Sequence, residues 1–174
     1  MTEVTQQITL LPQSTQGSDV EHLTQDLVVG SIIGWFKLAV PTPTPDNYRV
    51  QLGCHLEEVG EMLEKVFDPH DPLTIEVNEE ADYLKSGKSR PIHLSDMTDS
   101  DKADLLDSLC DQIVTAIGVA HMAGFNIYGA LHHVNAANWG KFVNGVPQFS
   151  PQGKIMKPEG WEPANLVPFI SKQD

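Results

Sequence analysis

Four glutamates crowd one stretch of the chain: Glu57, Glu58, Glu61 and Glu64, with Lys65 as the only cation beside them. On a helix, Glu57 and Glu61 are i,i+4 neighbours and Glu58 and Glu61 are i,i+3. Like charges at that spacing repel by a few tenths of a kcal/mol per pair. A divalent cation turns that repulsion into coordination, because Mg²⁺ takes hard oxygen ligands. A solvated acidic face would give the same pattern. Against it stand Gly53, Cys54 and Gly60 on the same side, small residues that admit a close neighbour. A second acidic set, Asp104, Asp107 and Asp111, falls at i, i+3 and i+7, on one helix face. The segment that follows, 113–123, is apolar nearly all round, which predicts a buried helix. Asp107 and Asp111 are therefore expected to point inward. Unpaired buried carboxylates are costly, and few cations stand near them. Metal ions held between two acidic helices are the simpler account. No Glu-x-x-His pair occurs, so a di-iron bundle site is not indicated.

Cations gather later in the sequence. Lys141, Lys154 and Lys157 follow Asn135, Asn138 and Trp139. Lysine binds phosphate as a point charge and asparagine as an adaptable donor, so the group is a candidate grip for phosphates; scattered surface lysines are the plainer alternative. Trp35 and Phe36 could stack on a base or simply fill the core. His132 and His133 read as surface residues, and His121 as a core histidine.

The elements that must position these groups are helical. Leu52, Leu56, Val59, Leu63 and Val66 form one apolar stripe over 46–67. A first helix is expected over 19–39, stopped by Pro41-Thr42-Pro43-Thr44-Pro45. A long helix is expected over 100–124, with Ser100 or Asp99 as N-cap and Gly124 as stop, and a last one over 127–141. Residues 68–100 read as a polar, irregular excursion with a short helix near 79–85. Residues 1–18 read as a flexible leader, and 143–174 as an extended tail with a turn at 150–153. Little strand signal is present. The expectation is one all-α domain over 19–174, with a four-helix bundle core.

Composition limits the partners. The chain has 174 residues, 40% of them apolar, which suits one globular domain. Eleven Lys+Arg against 24 Asp+Glu give a net charge of −13. Such a surface repels a nucleic-acid backbone and anionic lipid, and it admits a small polyanion only if cations bridge the two. Cys54 and Cys110 have no metal or disulfide spacing and read as buried thiols. The first twenty residues lack the charged and apolar regions of a signal peptide, and no apolar run reaches membrane-spanning length. A cytoplasmic protein that binds neither nucleic acid nor membrane is expected.

Several motifs together resemble a known family. Glu57-Glu58-Val59-Gly60-Glu61 matches the EExxE motif of the MazG-like, all-α nucleoside triphosphate pyrophosphohydrolases. Asp107-Ser108-Leu109-Cys110-Asp111 is similar to their second acidic motif, with Ser108 where many members carry Glu. The run from His133 to Lys141 resembles their next helix, with Asn138 and Lys141 three apart, although Trp139-Gly140 replaces the commoner Met-Ser. Gly153-Lys154-Ile155-Met156-Lys157-Pro158 is similar to the tail of the phosphoribosyl-ATP pyrophosphohydrolase-like members. The resemblance spans about 26–166, apart from 68–100, which is longer than expected.

The resemblance implies hydrolysis of a nucleoside triphosphate to the monophosphate and pyrophosphate. It implies two or three Mg²⁺ or Mn²⁺ ions on Glu57, Glu58, Glu61, Asp107 and Asp111, with Glu57 or Glu58 as general base. Asn138, Lys141, Lys154 and Lys157 would hold sugar and phosphates; Trp35 is the candidate, from its residue type alone, to stack on the base. Phage-borne members are the most similar, some of them acting on dGTP or GTP, which points to guanine and, for such a protein, to the host cytoplasm. Dimers or tetramers are expected. Alternative substrates are dUTP, dCTP or phosphoribosyl-ATP. An alternative of another class is an acidic helical DNA mimic without catalysis.

Overall fold

Helices form wherever apolar residues recur at helical spacing, and prolines and side-chain caps set their limits. The computed structural model describes residues 19–170, with side chains from residue 27 onward; the predicted leader lies outside them. The fold is all-α. Helix α1, Asp19–Ala39, ends where expected, before Pro41. Helix α2, Pro45–Val66, starts in a capping box: Thr44 Oγ1 accepts from Asn47 N–H, and Asn47 Oδ1 accepts from Thr44 N–H.

Helix α3, Pro72–Lys85, has 14 residues and corrects the expectation of an irregular excursion with only a short helix. The segment Asp68-Pro69-His70-Asp71-Pro72 both stops one helix and starts another. Asp71 caps Leu73 N–H at 2.9 Å, and Pro72 takes the first helical position, where its missing amide costs nothing. α3 runs back along α2. Gly53 faces Ala81 and Leu84, and Gly60 faces Asn78, whose Nδ2 donates to Glu64 at 2.9 Å. The neighbour that the small residues of α2 make room for is α3.

Helix α4, Asp99–Met122, is capped by Thr98 rather than by Asp99 or Ser100. Helix α5, Ile127–Trp139, is capped by Asn126, whose Oδ1 accepts from Gly129 N–H. α5 packs on α1, and α4 meets α5. A small hairpin that sequence patterning missed, Phe142–Val143 with Val146–Pro147, follows. Its turn is Asn144-Gly145, with φ of 53° and 76°, the pairing that a two-residue hairpin loop demands. The expected turn at 150–153 is present, closed by Ser150 N–H donating to Lys154 O at 2.8 Å.

The buried apolar residues among those described are Val28, Trp35, Ala39, Val50, Ala81, Leu84 and Ala120. They lie mostly on the α1–α5 and α2–α3 pairs. α4 contributes only Ala120. Ile113, Val114, Ile117 and Val119 are exposed, and so are Cys110 and His121. These residues were expected inside, because an all-round apolar helix reads as buried. Within one chain α4 has too few neighbours to cover it.

Candidate functional site

A cleft of about 870 Å³ runs along α2. Its floor follows one edge of the helix, from Thr44 and Asn47 through Val50 and Gln51 to Cys54, Glu57 and Glu58. Thr44 to Glu58 spans about 21 Å of helix axis. Trp35 and Phe36 of α1, with Val40 just after it, line one wall, Asn135, Asn138 and Lys141 of α5 and its end line another, and Phe149, Lys154 and Ile155 of the tail close over it. Ile92, His93, Leu94 and Ser95, from the loop after α3, complete it.

Charge concentrates at the Glu57 end. Glu57 Oε2 accepts from Lys154 Nζ at 2.6 Å, and Oε1 from Lys85 Nζ at 3.0 Å. Lys85 also pairs with Asp82 at 3.0 Å. Burial opposes ionisation of Glu57, but the hydrogen bonds from Lys154 and Lys85 outweigh it and hold its pKa below the ordinary carboxylate value. Burial likewise opposes the charge on Lys85, yet Glu57 and Asp82 raise its pKa. Burial pushes the Cys54 thiol up, with Lys154 acting against it. Lys141 is lowered by burial and by the nearby charge of Lys157.

The residues singled out from the sequence divide into two groups. Trp35, Glu57, Glu58, Asn138, Lys141 and Lys154 share the cleft, although they come from α1, α2, α5 and the tail. Glu61 lies one turn beyond Glu57, exposed and outside the cleft. Lys157 lies outside it too, 4.9 Å from the ring of Trp161, which Lys141 also approaches at 5.3 Å. Asp107 and Asp111 are exposed on α4 and do not line the cleft. This corrects the expectation that they point into the bundle. α4 does reach α2 at one place, where the His55 ring meets Gln112, the residue after Asp111. Trp35 lines the cleft by an edge only: it is buried, its Nε1 donates to Asn138 O at 2.8 Å, and its ring stacks on Phe142. Phe36, half exposed, is the freer aromatic surface.

The chain matches no family model, no curated protein and no solved structure. The site therefore has to be read from its own chemistry. Among the described residues, no group of three or more His, Cys, Asp and Glu side chains is gathered as a metal cluster. The donor set nonetheless suits a hard divalent cation. Glu57 and Glu58 are adjacent carboxylates at the cleft end, and among the described residues Glu58 has no ion-pair partner. Lys85 and the 92–95 loop were missed from the sequence. Lys85 could have been found from the Asp71-Pro72 start signal, which places it on a helix paired with α2. Nothing in the sequence marks the loop as part of a cleft.

Proposed function

We propose that the chain hydrolyses a nucleoside triphosphate to the monophosphate and pyrophosphate with the help of Mg²⁺ or Mn²⁺. The observation that carries this reading is the chemistry of this cleft. Carboxylates and lysines meet at one end, and mostly uncharged and aromatic groups, with Lys37 among them, line the rest. A nucleotide has the same polarity, with phosphates at one end and a flat, weakly polar base at the other.

Glu57 and Glu58 would hold the metal, with Glu61 on the following turn. Asp111, exposed on α4 and outside the cleft, would join only by a movement of α4, which touches α2 through Gln112 and His55. The bound metal supplies charge neutralisation of the phosphates and a water of lowered pKa. Glu58, which has no lysine ion pair among the described residues, would be the better placed of the two glutamates to act as a proton acceptor. Lys154 and Lys141 face the phosphates, and Lys154 exchanges Glu57 for a phosphate oxygen as substrate enters. Asn138 lines the cleft beside Lys141, within reach of sugar or phosphate.

The substrate lean is to guanine nucleotides, with dUTP, dCTP and phosphoribosyl-ATP as alternatives of the same reaction. Assembly into dimers or tetramers is part of the proposal, because α4 leaves its apolar surface open. No helix among the described residues is long and apolar enough to cross a membrane.

The test is pyrophosphate release from a panel of nucleotides, with Mg²⁺ and with EDTA. Metal-dependent release is expected. In Glu61→Gln, turnover should fall by orders of magnitude while the fold persists; wild-type turnover there removes Glu61 from the site. A second reading draws on the row of exposed aspartates on α4, Asp104, Asp107 and Asp111. Such a row suits an acidic mimic of nucleic acid. Failure to cleave any nucleotide under any metal favours it.

A further inference from the structure

The end of the cleft away from Glu57 lies at the N-terminus of α2, where the hydrolytic groups have no part. Arg49, 4% exposed, fixes what stands there. Its guanidinium donates to Leu84 O and to Ser89 Oγ, so the loop after α3 leaves from a set point beside the first turns of α2. Ile92 to Ser95 then form part of the cleft wall. This loop belongs to the stretch 68–100 that the family resemblance does not cover.

Asn47 lines this end of the cleft, and a smaller pocket beside it, with half its amide committed. Its Oδ1 accepts from Thr44 N–H at 3.0 Å and from Thr44 Oγ1 at 2.8 Å. A backbone N–H can only donate, so the amide atom facing it has to be the oxygen. The amide NH₂ is left over, with two donors and no acceptor, and it has no partner among the described residues.

We propose that this end of the cleft binds the nucleobase, and that Asn47 selects bases with a keto oxygen at purine C6 or pyrimidine C4 (guanine, thymine or uracil) over adenine and cytosine, which carry an amino group there. The proposal rests on the nucleotide reading above. The Asn47 NH₂ donates to O6 and N7 of guanine, or to O4 of a keto pyrimidine. The paired contact between an asparagine and adenine N6/N7 needs one donor and one acceptor from the same amide. Here the acceptor is locked into the helix cap. An exocyclic amino group opposite the NH₂ sets donor against donor and leaves both unpaired. Phe36 and Ile92 offer the apolar surface against which the ring lies.

The decisive variant is Asn47→Asp. The chain itself demonstrates that the cap survives this change. Thr98 and Asp101 form the same box at the start of α4, with Asp101 Oδ2 accepting from Thr98 N–H at 3.0 Å and from Thr98 Oγ1 at 2.7 Å. An acid in a first helical turn is also favoured by the helix dipole. The substitution therefore keeps the fold and turns the free group from donor to acceptor. Binding is measured by titration calorimetry with the non-cleavable α,β-imido analogues of dGTP, dTTP, dATP and dCTP in Mg²⁺, alongside thermal melts. The wild type should bind the dGTP and dTTP analogues about tenfold or more tighter than the other two, and Asn47→Asp should reverse the order. Equal binding of all four analogues by the wild type, or the wild-type ranking kept in a normally melting Asn47→Asp, overturns the proposal. The readout needs no bond cleavage. Base-selective binding by a chain that hydrolyses nothing defeats the hydrolytic reading alone, and hydrolysis without base preference defeats the Asn47 assignment alone.

Discussion

Gly53 joins the fold to the site, and replacing it by alanine sets two effects of known size against each other. Alanine favours a helix interior over glycine by about 1 kcal/mol, so on α2 alone Gly53→Ala stabilises. The added Cβ, however, would stand 2.9 Å from the carbonyl oxygen of Ala81 and 3.0 Å from Leu84 Cβ. Neither atom can swing aside, because one is backbone and the other is fixed to it. α3 has to draw back along a seam where Ala81 is 1% and Leu84 7% exposed. Overpacking of that kind costs about 1–3 kcal/mol. The clash wins, and the variant should be less stable by about 1 kcal/mol, which for a chain of this size lowers Tm by roughly 2–4 °C. Lys85 rides on α3, with its Cγ also 2.9 Å from the new Cβ, so its contact with Glu57 should loosen and the Glu57 pKa should rise toward the ordinary value. Urea unfolding at unchanged m and a ¹³C titration of the Glu57 carboxyl measure the two consequences. A variant about 1 kcal/mol more stable than the wild type, with Glu57 unmoved, would mean that α3 is not seated on this face, and the reasoning would fail.

Two further outcomes follow from the same contacts. Lys85→Met removes a partly buried partner of Glu57 and should cost about 1 kcal/mol at pH 7, near the upper end for such pairs. A carboxylate whose pKa is lowered in the folded state stabilises above its unfolded pKa, and that stability is lost as pH falls through the folded value. The gap between variant and wild type should therefore close as the pH drops below about 4; a gap that stays constant in urea melts from pH 7 to 3 removes Glu57 from the pair. The second outcome concerns assembly. The chain exposes 13688 Å², whereas a compact monomer of 19.2 kDa exposes about 8,400 Å². After deducting about 3,500 Å², the most that the residues outside 19–170 can expose, an excess of about 1,800 Å² remains. Doubled over two chains, that is the scale of an obligate interface, and the exposed apolar residues of α4 are where the proposed assembly would bury it. Sedimentation should give a multiple of the chain mass, and Ile113→Lys with Ile117→Lys should reduce it. A wild-type monomer at micromolar concentration contradicts this.

The helices were legible because their signals are local. Proline breaks, the apolar stripe of α2 and the small residues facing a neighbour all act within a few turns. α3 was under-read because Asp71-Pro72 carries a stop and a start at once, and its helical pattern is weak until α2 covers it. The acidic pair on α2, Asn138, Lys141 and Lys154 were legible as candidate site residues from their types, and the fold brings them to one cleft. Lys85 and the 92–95 loop were not, because only the fold brings them to the cleft. The inward direction expected for Asp107 and Asp111 failed for a physical reason. An apolar helix says that something covers it, without saying that its own chain does.

The central claim is that the carboxylate end of this cleft cleaves a triphosphate between its α and β phosphorus atoms. ³¹P NMR of dGTP incubated with the protein and Mg²⁺ tests it directly. The account predicts that dGMP and pyrophosphate grow in together, with no diphosphate signal, and that EDTA stops both. Release of free phosphate with dGDP, or an unchanged triphosphate spectrum across the nucleotide panel, would contradict it.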